Sequence, residues 1–265
     1  FETTIQSLTY NALNQYSFVT IPMFILMGVL ANKARITHDL YKAFYRLMSQ
    51  VRGSLYMVTV LSSAGFATVS GSTIVSAAVF TRLALPQMTR FGYHKGIGAG
   101  CIAAAGTFAS LIPPSIMMVI YALLTGESIG RLFIAGVVPG ILTAVVYLLS
   151  ILVLVRIYPS IAPTVDRPYS WREKHQSIMR IGPFLVLAGI VIGGIYSGLV
   201  FPSAAGAVGA IGALAIARWR GVGRLSDLRE SLEETITVSA SILIVLVGGL
   251  IFSRYLVYSD RKSVV

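Results

Sequence analysis

Apolar residues run along this chain in blocks of bilayer length, not in the spaced stripes that face a soluble core. The blocks lie at Tyr16–Asn32, Ile97–Leu124, Leu132–Val155, Ile181–Tyr196, Ser203–Ala217 and Val238–Leu256. About 20 apolar residues suffice for one helical crossing, and backbone groups in lipid must be satisfied within the segment. The pattern therefore predicts an all-α, polytopic membrane fold.

Three stretches break the pattern. In Asp39–Val51, the residues Leu40, Phe44, Leu47, Met48 and Val51 recur at helical spacing against Lys42, Arg46, Ser49 and Gln50, as in a helix lying at the membrane interface. Leu225, Leu228, Leu232 and Ile236 do the same against Arg229, Glu230, Glu233 and Glu234. Both segments read equally as solvated linkers or as structural arms. Gly53–Thr89 has room for two short helices on either side of Ser70-Gly71-Ser72; as one helix it would overshoot the hydrocarbon about twofold.

Composition supports the membrane reading. Hydrophobic residues make up 55% of the 265 positions and charged residues 12%, against about 25% charge in soluble domains. The net charge of +11 would suggest nucleic acid in a soluble protein, but no basic stripe is interleaved with exposed aromatics. The basic residues instead collect in short connections, at Lys33–Arg52, Arg90–Lys95, Arg156–Arg180 and Arg218–Arg229, which the positive-inside rule places in the cytoplasm. With both ends of Gly53–Thr89 cytoplasmic, that stretch is expected to enter and return as a re-entrant hairpin. Phe18–Leu30 and Val238–Leu250 are similar apolar segments that the charge rule orients oppositely, as in inverted-repeat transporters. Phe1 is not a methionine and Glu2 precedes any apolar run, so no signal or start is visible and the chain reads as a fragment.

Two places can carry chemistry. Ser70, Gly71, Ser72 and Thr73 sit at the expected hairpin tip, where exposed backbone must be buried in protein or line a cavity. Their oxygens suit a hard cation, and the helix N-terminus that follows suits an anion; packing by small residues would explain the same composition. Gly106, Thr107, Pro113, Pro114 and Ser115 interrupt an otherwise continuous span. Two prolines in succession remove two N–H donors and force the helix to break. A broken helix opposite a hairpin tip is how transporters build substrate and ion sites; a simple proline kink, common in membrane helices, is the alternative, but it explains less well two prolines preceded by Gly106-Thr107 and followed by Ser115.

The acidic residues and His38, His94 and His175 all lie outside the apolar blocks, so no proton relay, catalytic base or aspartate pair is available within them. Cys101 has no second cysteine to pair with. No H-E-x-x-H, C-x-x-C or G-x-x-x-x-G-K motif occurs, and neither an enzyme nor a bound cofactor is expected. A substrate anion held at helix N-termini, with Na+ held by carbonyl and hydroxyl oxygens, fits these constraints.

The same residues resemble the large membrane subunit of tripartite ATP-independent periplasmic (TRAP) transporters. The resemblance runs through Ile21-Pro22-Met23-Phe24, Ser70-Gly71-Ser72, Leu85-Pro86-Gln87-Met88, Gly92-Tyr93, Gly106-Thr107, Leu111-Ile112-Pro113-Pro114-Ser115, Leu132-Phe133-Ile134-Ala135-Gly136 and Pro139-Gly140. It implies an elevator-type, sodium-driven importer of organic acids in the bacterial inner membrane. A small membrane permease subunit and a periplasmic substrate-binding protein would be its partners. It also implies that Ser70, Gly71, Ser72, Thr73, Gly106, Thr107, Pro113, Pro114 and Ser115 form a first sodium site and one wall of the substrate site.

The chain departs from the family in places. The usual Gly-Gly-Thr-Leu-Gly is Ala105-Gly106-Thr107-Phe108-Ala109 here, and the usual Thr-Pro-Thr-Glu is Phe201-Pro202-Ser203-Ala204. No second hairpin follows before Val265, so half of the site is expected to be missing. The divisions expected are an opening helix and interfacial arm (1–53), a transport half (54–158), a basic cytoplasmic loop (159–180), scaffold helices of a second repeat (181–221) and an interfacial helix leading into a second transport half (222–265). The alternatives are a membrane-embedded hydrolase using Ser70 or Ser72, and a truncated scaffold that transports nothing.

Overall fold

The structure is a computed structural model that describes residues 16–163 and 169–260. Two of the acidic residues, Glu2 and Asp166, and the stretch Arg261–Val265 lie outside the described residues. The described residues are all helix and connection, with no strand among them. A 3-10 turn at Tyr16–Val19 leads into α1 (Thr20–Lys33), followed by α2 (Ile36–Met48), α3 (Ser54–Ser70) and α4 (Thr73–Arg90). Then come α5 (Lys95–Gly106), α6 (Phe108–Leu111), α7 (Ile116–Thr125) and α8 (Ile129–Ile157). The second half holds α9 (Trp171–Arg180), α10 (Gly182–Tyr196), α11 (Pro202–Trp219) and α12 (Leu225–Asp260).

Two short apolar helices, α1 and α3, form the centre. Ile21, Phe24, Ile25 and Met27 on α1, and Leu55, Tyr56, Val58 and Phe66 on α3, are fully enclosed. α1 packs most extensively on α11, whose contact face is Ala205, Gly206, Gly209, Ala210, Ala213 and Ala217. Small side chains let helix axes approach closely, the usual basis of helix association where no water is present to drive it. The long α8 lies outside. Only 6% of its most apolar window is buried, while Ile134, Val138, Ile141, Leu142 and Leu149 are more than half exposed. A patch of that size is untenable in water and favourable in hydrocarbon. With α8, Trp171–Tyr196 and Leu225–Leu256 all long and apolar enough to cross, this is a multi-pass membrane protein.

The two expected interfacial segments are helical, and their buried faces only partly coincide with the apolar stripes. α2 buries Ile36, Thr37, Leu40, Tyr41 and Ala43, because α3 and α9 pack against it, whereas Leu47 and Val51 stay about 40% exposed. Along the last helix, Leu225 and Ile236 are exposed, and the buried face is Ser231, Thr235 and Ser239. Their small side chains bring this helix against α1. The Ser231 and Thr235 hydroxyls are satisfied by the carbonyls of Asp227 and Ser231, each at 2.7 Å. Nor does the charged stretch end before the apolar one: with no glycine or proline between Leu225 and Val247, α12 continues unbroken for 36 residues, about 54 Å at 1.5 Å per residue.

Ion pairs tie the charged ends together. Lys33 at the end of α1 pairs with Glu230 of α12. The Arg220 guanidinium, just past α11, donates to Asp39 Oδ2 at 2.6 Å and to Ala34 O at 2.9 Å. Burial alone would push the Asp39 carboxyl up, but His38 at 4.0 Å and Arg220 outweigh it, and the group titrates below its ordinary 3.8. A carboxyl lowered on folding stabilises fully above its unfolded pKa, and loses that contribution as pH falls through the folded one. Asp39→Asn is therefore expected to lower the thermal midpoint at neutral pH. The gap to the parent should close as pH falls below 3.8. Unfolding curves on both sides of that value check it.

Candidate transport site

α3 and α4 pack side by side and are joined by only Gly71 and Ser72. Of these two residues Gly71 alone is left-handed (φ +58°), and its N–H closes α3 on Ala67 O at 3.1 Å. Ser72 is extended, and its Oγ accepts from Val75 N at 3.4 Å, capping α4. A left-handed glycine followed by a serine cap ends one helix and starts the next within two residues. The stretch is thus a helical hairpin and not one straight rod.

The second element breaks as the prolines require. The pair Lys95–Leu111 and Ile116–Thr125 is bent by 44°. Ile112 is extended, the Pro113-Pro114 bond is cis, and Ser115 is extended. Ser115 Oγ accepts from Met118 N at 3.5 Å and donates to Ser110 O at 3.0 Å, bridging the two sides of the break.

The tip and the break meet. Ile116 N donates to Gly71 O at 3.1 Å. A Cβ added to Gly71 would stand 3.0 Å from Pro114 O, and one on Gly106 would stand 3.6 Å from Thr73 O. Ser70, Gly71, Ser72, Gly106, Pro113, Pro114 and Ser115 are buried, and Thr73 is half-buried. Thr107 stands apart: it is exposed, and its hydroxyl donates to Ala104 O of its own helix at 2.7 Å. At the junction the N-termini of α4 and α7 lie beside the C-terminal ends of α3 and α6. Free N–H groups favour an anion there, and free carbonyls favour a cation.

Four residues absent from the sequence-based site complete its walls. Ser76 shares a buried 2.9 Å hydrogen bond with Ser70, Oγ to Oγ. Gly28 of α1 approaches so closely that an added Cβ would stand 2.7 Å from Ser70 Cα. On α8, a Cβ at Gly136 would stand 2.7 Å from Leu111 O, and one at Gly140 would stand 2.7 Å from Ile112 Cγ1. The small-x-x-x-small spacing of Gly136 and Gly140 is a legible sign of close helix approach. Nothing local marks Gly28 or Ser76.

Residues 1–263 match the family described as "Tripartite ATP-independent periplasmic transporter, DctM component". The chain belongs to this family. The C4-dicarboxylate TRAP transporter large permease protein of Pseudomonas aeruginosa is 34% identical over 243 residues, covering 91% of this chain and 56% of its own length. The sialic acid TRAP transporter large permease protein of Vibrio cholerae is 30% identical over 242 residues, covering 91% and 56%. The ectoine TRAP transporter large permease protein of Halomonas elongata is 30% identical over 256 residues, covering 95% and 58%. The chain thus spans a little over half the length of these curated relatives. The DctM family is one of permeases and not of enzymes, and the hydrolase alternative falls with that finding. The geometry agrees, since the Ser70 hydroxyl meets another serine and the Ser72 hydroxyl caps a helix.

Proposed function

We propose that this chain forms part of a permease that imports an organic acid, a carboxylate, together with sodium across the bacterial inner membrane. A small membrane subunit and a periplasmic binding protein would serve it. The observation that carries the proposal is the Ile116 N to Gly71 O contact, which joins a hairpin tip to a broken helix. A carboxylate is suited to the N-termini of α4 and α7, and sodium to the carbonyls that end α3 and α6. Among the described residues no group of three or more His, Cys, Asp or Glu side chains is placed to hold a metal, so backbone and hydroxyl oxygens would carry the cation. In this reading α3 and α4 enter and leave the membrane from the cytoplasmic side, and the transport half slides as an elevator. The dicarboxylate, sialic acid and ectoine named for the relatives share a carboxylate, and the substrate proposed here is of that class.

The test is uptake by the complete permease, with its small subunit and binding protein, in proteoliposomes. Accumulation of a labelled C4-dicarboxylate or sialic acid is expected under an inward sodium gradient and not under an equal potassium gradient. Equal uptake under both would remove sodium from the mechanism. No uptake of any carboxylate would remove the substrate class.

A further inference from the structure

Where α2, the C-terminal end of α4 and the approach to α9 come together, a cavity of about 780 Å³ opens. It belongs to the face that the basic connections mark as cytoplasmic, away from the hairpin tip. Its size falls in the range of small-ligand sites, about 300–1,000 Å³.

The charge in it is uneven. Lys42, Arg46 and Arg90 line it, joined by His38, with Glu173 as the acidic lining residue. Glu173 Oε2 accepts from Ser170 N at 2.9 Å, closing the capping box that starts α9. Arg46 is held in place: it donates to Ser177 Oγ at 2.8 Å and lies 5.5 Å from the centre of the Tyr169 ring. Lys42 and Arg90 have no hydrogen-bond or ion-pair partner among the described residues. Lys42 is half-buried and Arg90 exposed, and with Arg46 they bring three cations to one cavity, an arrangement that favours an incoming anion. Asp39, the nearest carboxylate on α2, is engaged by Arg220 outside the cavity.

The wall beside these cations is aromatic. Tyr45 lies 6.4 Å from Phe91 and 6.2 Å from Tyr169, ring centre to ring centre. Phe91 is about 40% exposed and forms the apolar rim. An anion site with an apolar rim at the membrane surface matches a phosphate that carries an apolar group.

We propose that this cavity binds a phosphate-bearing anion, with Lys42, Arg46 and Arg90 on the phosphate oxygens and the Tyr45–Phe91 wall against the ester-linked part. The chemistry is shared by the headgroup of an anionic phospholipid and by a soluble phosphate. The rim favours the lipid.

The experiment compares thermal unfolding of the full chain in detergent with added phosphatidylglycerol, phosphatidylcholine, or inorganic phosphate. Phosphatidylglycerol is expected to raise the midpoint by several degrees and phosphatidylcholine is not. In K42Q/R90Q the apparent affinity for phosphatidylglycerol is expected to fall tenfold or more, while R131Q, which removes a cation elsewhere on the surface, responds like the parent. The single variant R90Q, at an exposed position, carries the test if the double variant does not fold. Stabilisation by inorganic phosphate matching that by the lipid assigns the site to a soluble phosphate. Stabilisation by neither anion, or K42Q/R90Q and R90Q both responding like the parent, overturns the proposal.

Discussion

Gly28→Ala is expected to destabilise the protein even though alanine is the better helix former. In an exposed helix the exchange gains about 1 kcal/mol. At Gly28 the new Cβ would stand 2.7 Å from Ser70 Cα and 3.0 Å from Ser70 Cβ. The first of these is backbone at the hairpin tip and cannot rotate away. Overpacking of this kind costs about 1–3 kcal/mol, occasionally more, and outweighs the propensity gain. Gly28→Leu is expected to prevent α1 from docking on the hairpin at all. Thermal unfolding in detergent checks both, and a higher midpoint for the alanine variant would show that the tip and α1 are not in contact.

The second large effect is expected at Gly71. Its left-handed backbone (φ +58°) costs an L-residue about 1–2 kcal/mol. A Cβ there would also meet Pro114 O at 3.0 Å. The two penalties act on one bond, because Gly71 O accepts the Ile116 N–H that joins tip to break. The expected order of damage is Gly71→Val, then Gly71→Ala, then Gly71→Asn, since asparagine tolerates the left-handed region and valine is branched next to the backbone. In the complete permease, carboxylate uptake should fall in the same order at matched protein levels. A valine variant as stable and active as the parent would mean that the tip does not depend on this turn.

Hydrophobic block length located the helices well. Leu132–Val155 corresponds to Ile129–Ile157, and Ile181–Tyr196 to Gly182–Tyr196, because apolar length is itself the physical requirement for crossing a bilayer. Local rules also found the turn at Gly71 and the break at Pro113-Pro114, since both are dictated by backbone chemistry at the residues concerned. The faces of the flanking helices were not legible. The stripe of Leu225, Leu228, Leu232 and Ile236 marked a side for the membrane interface but not the side that packs on the protein, which is Ser231, Thr235 and Ser239. In lipid an apolar side chain loses nothing by facing outward, so hydrophobic spacing no longer identifies the inside, and small residues do. Gly28 and Ser76 were missed for a different reason. Each acts on a partner that neighbours it only after folding, and a single sequence carries no record of that proximity.

The pairing of α1 with α11 also bears on how the protein is made. Thr20 and Ser203, which meet across it, are 183 positions apart, and Lys33 and Glu230, which clamp α1 to α12, are 197 apart. At about 5–20 residues per second, the ribosome needs roughly 10–40 seconds to deliver α11 after α1 has emerged. Through that interval α1, with 14 residues, is shorter than the ~20 needed to cross the hydrocarbon, and the part of its buried face that meets α11 and α12 has no partner. α1 is thus made well before the helices that enclose it, and it needs shelter during insertion until they arrive.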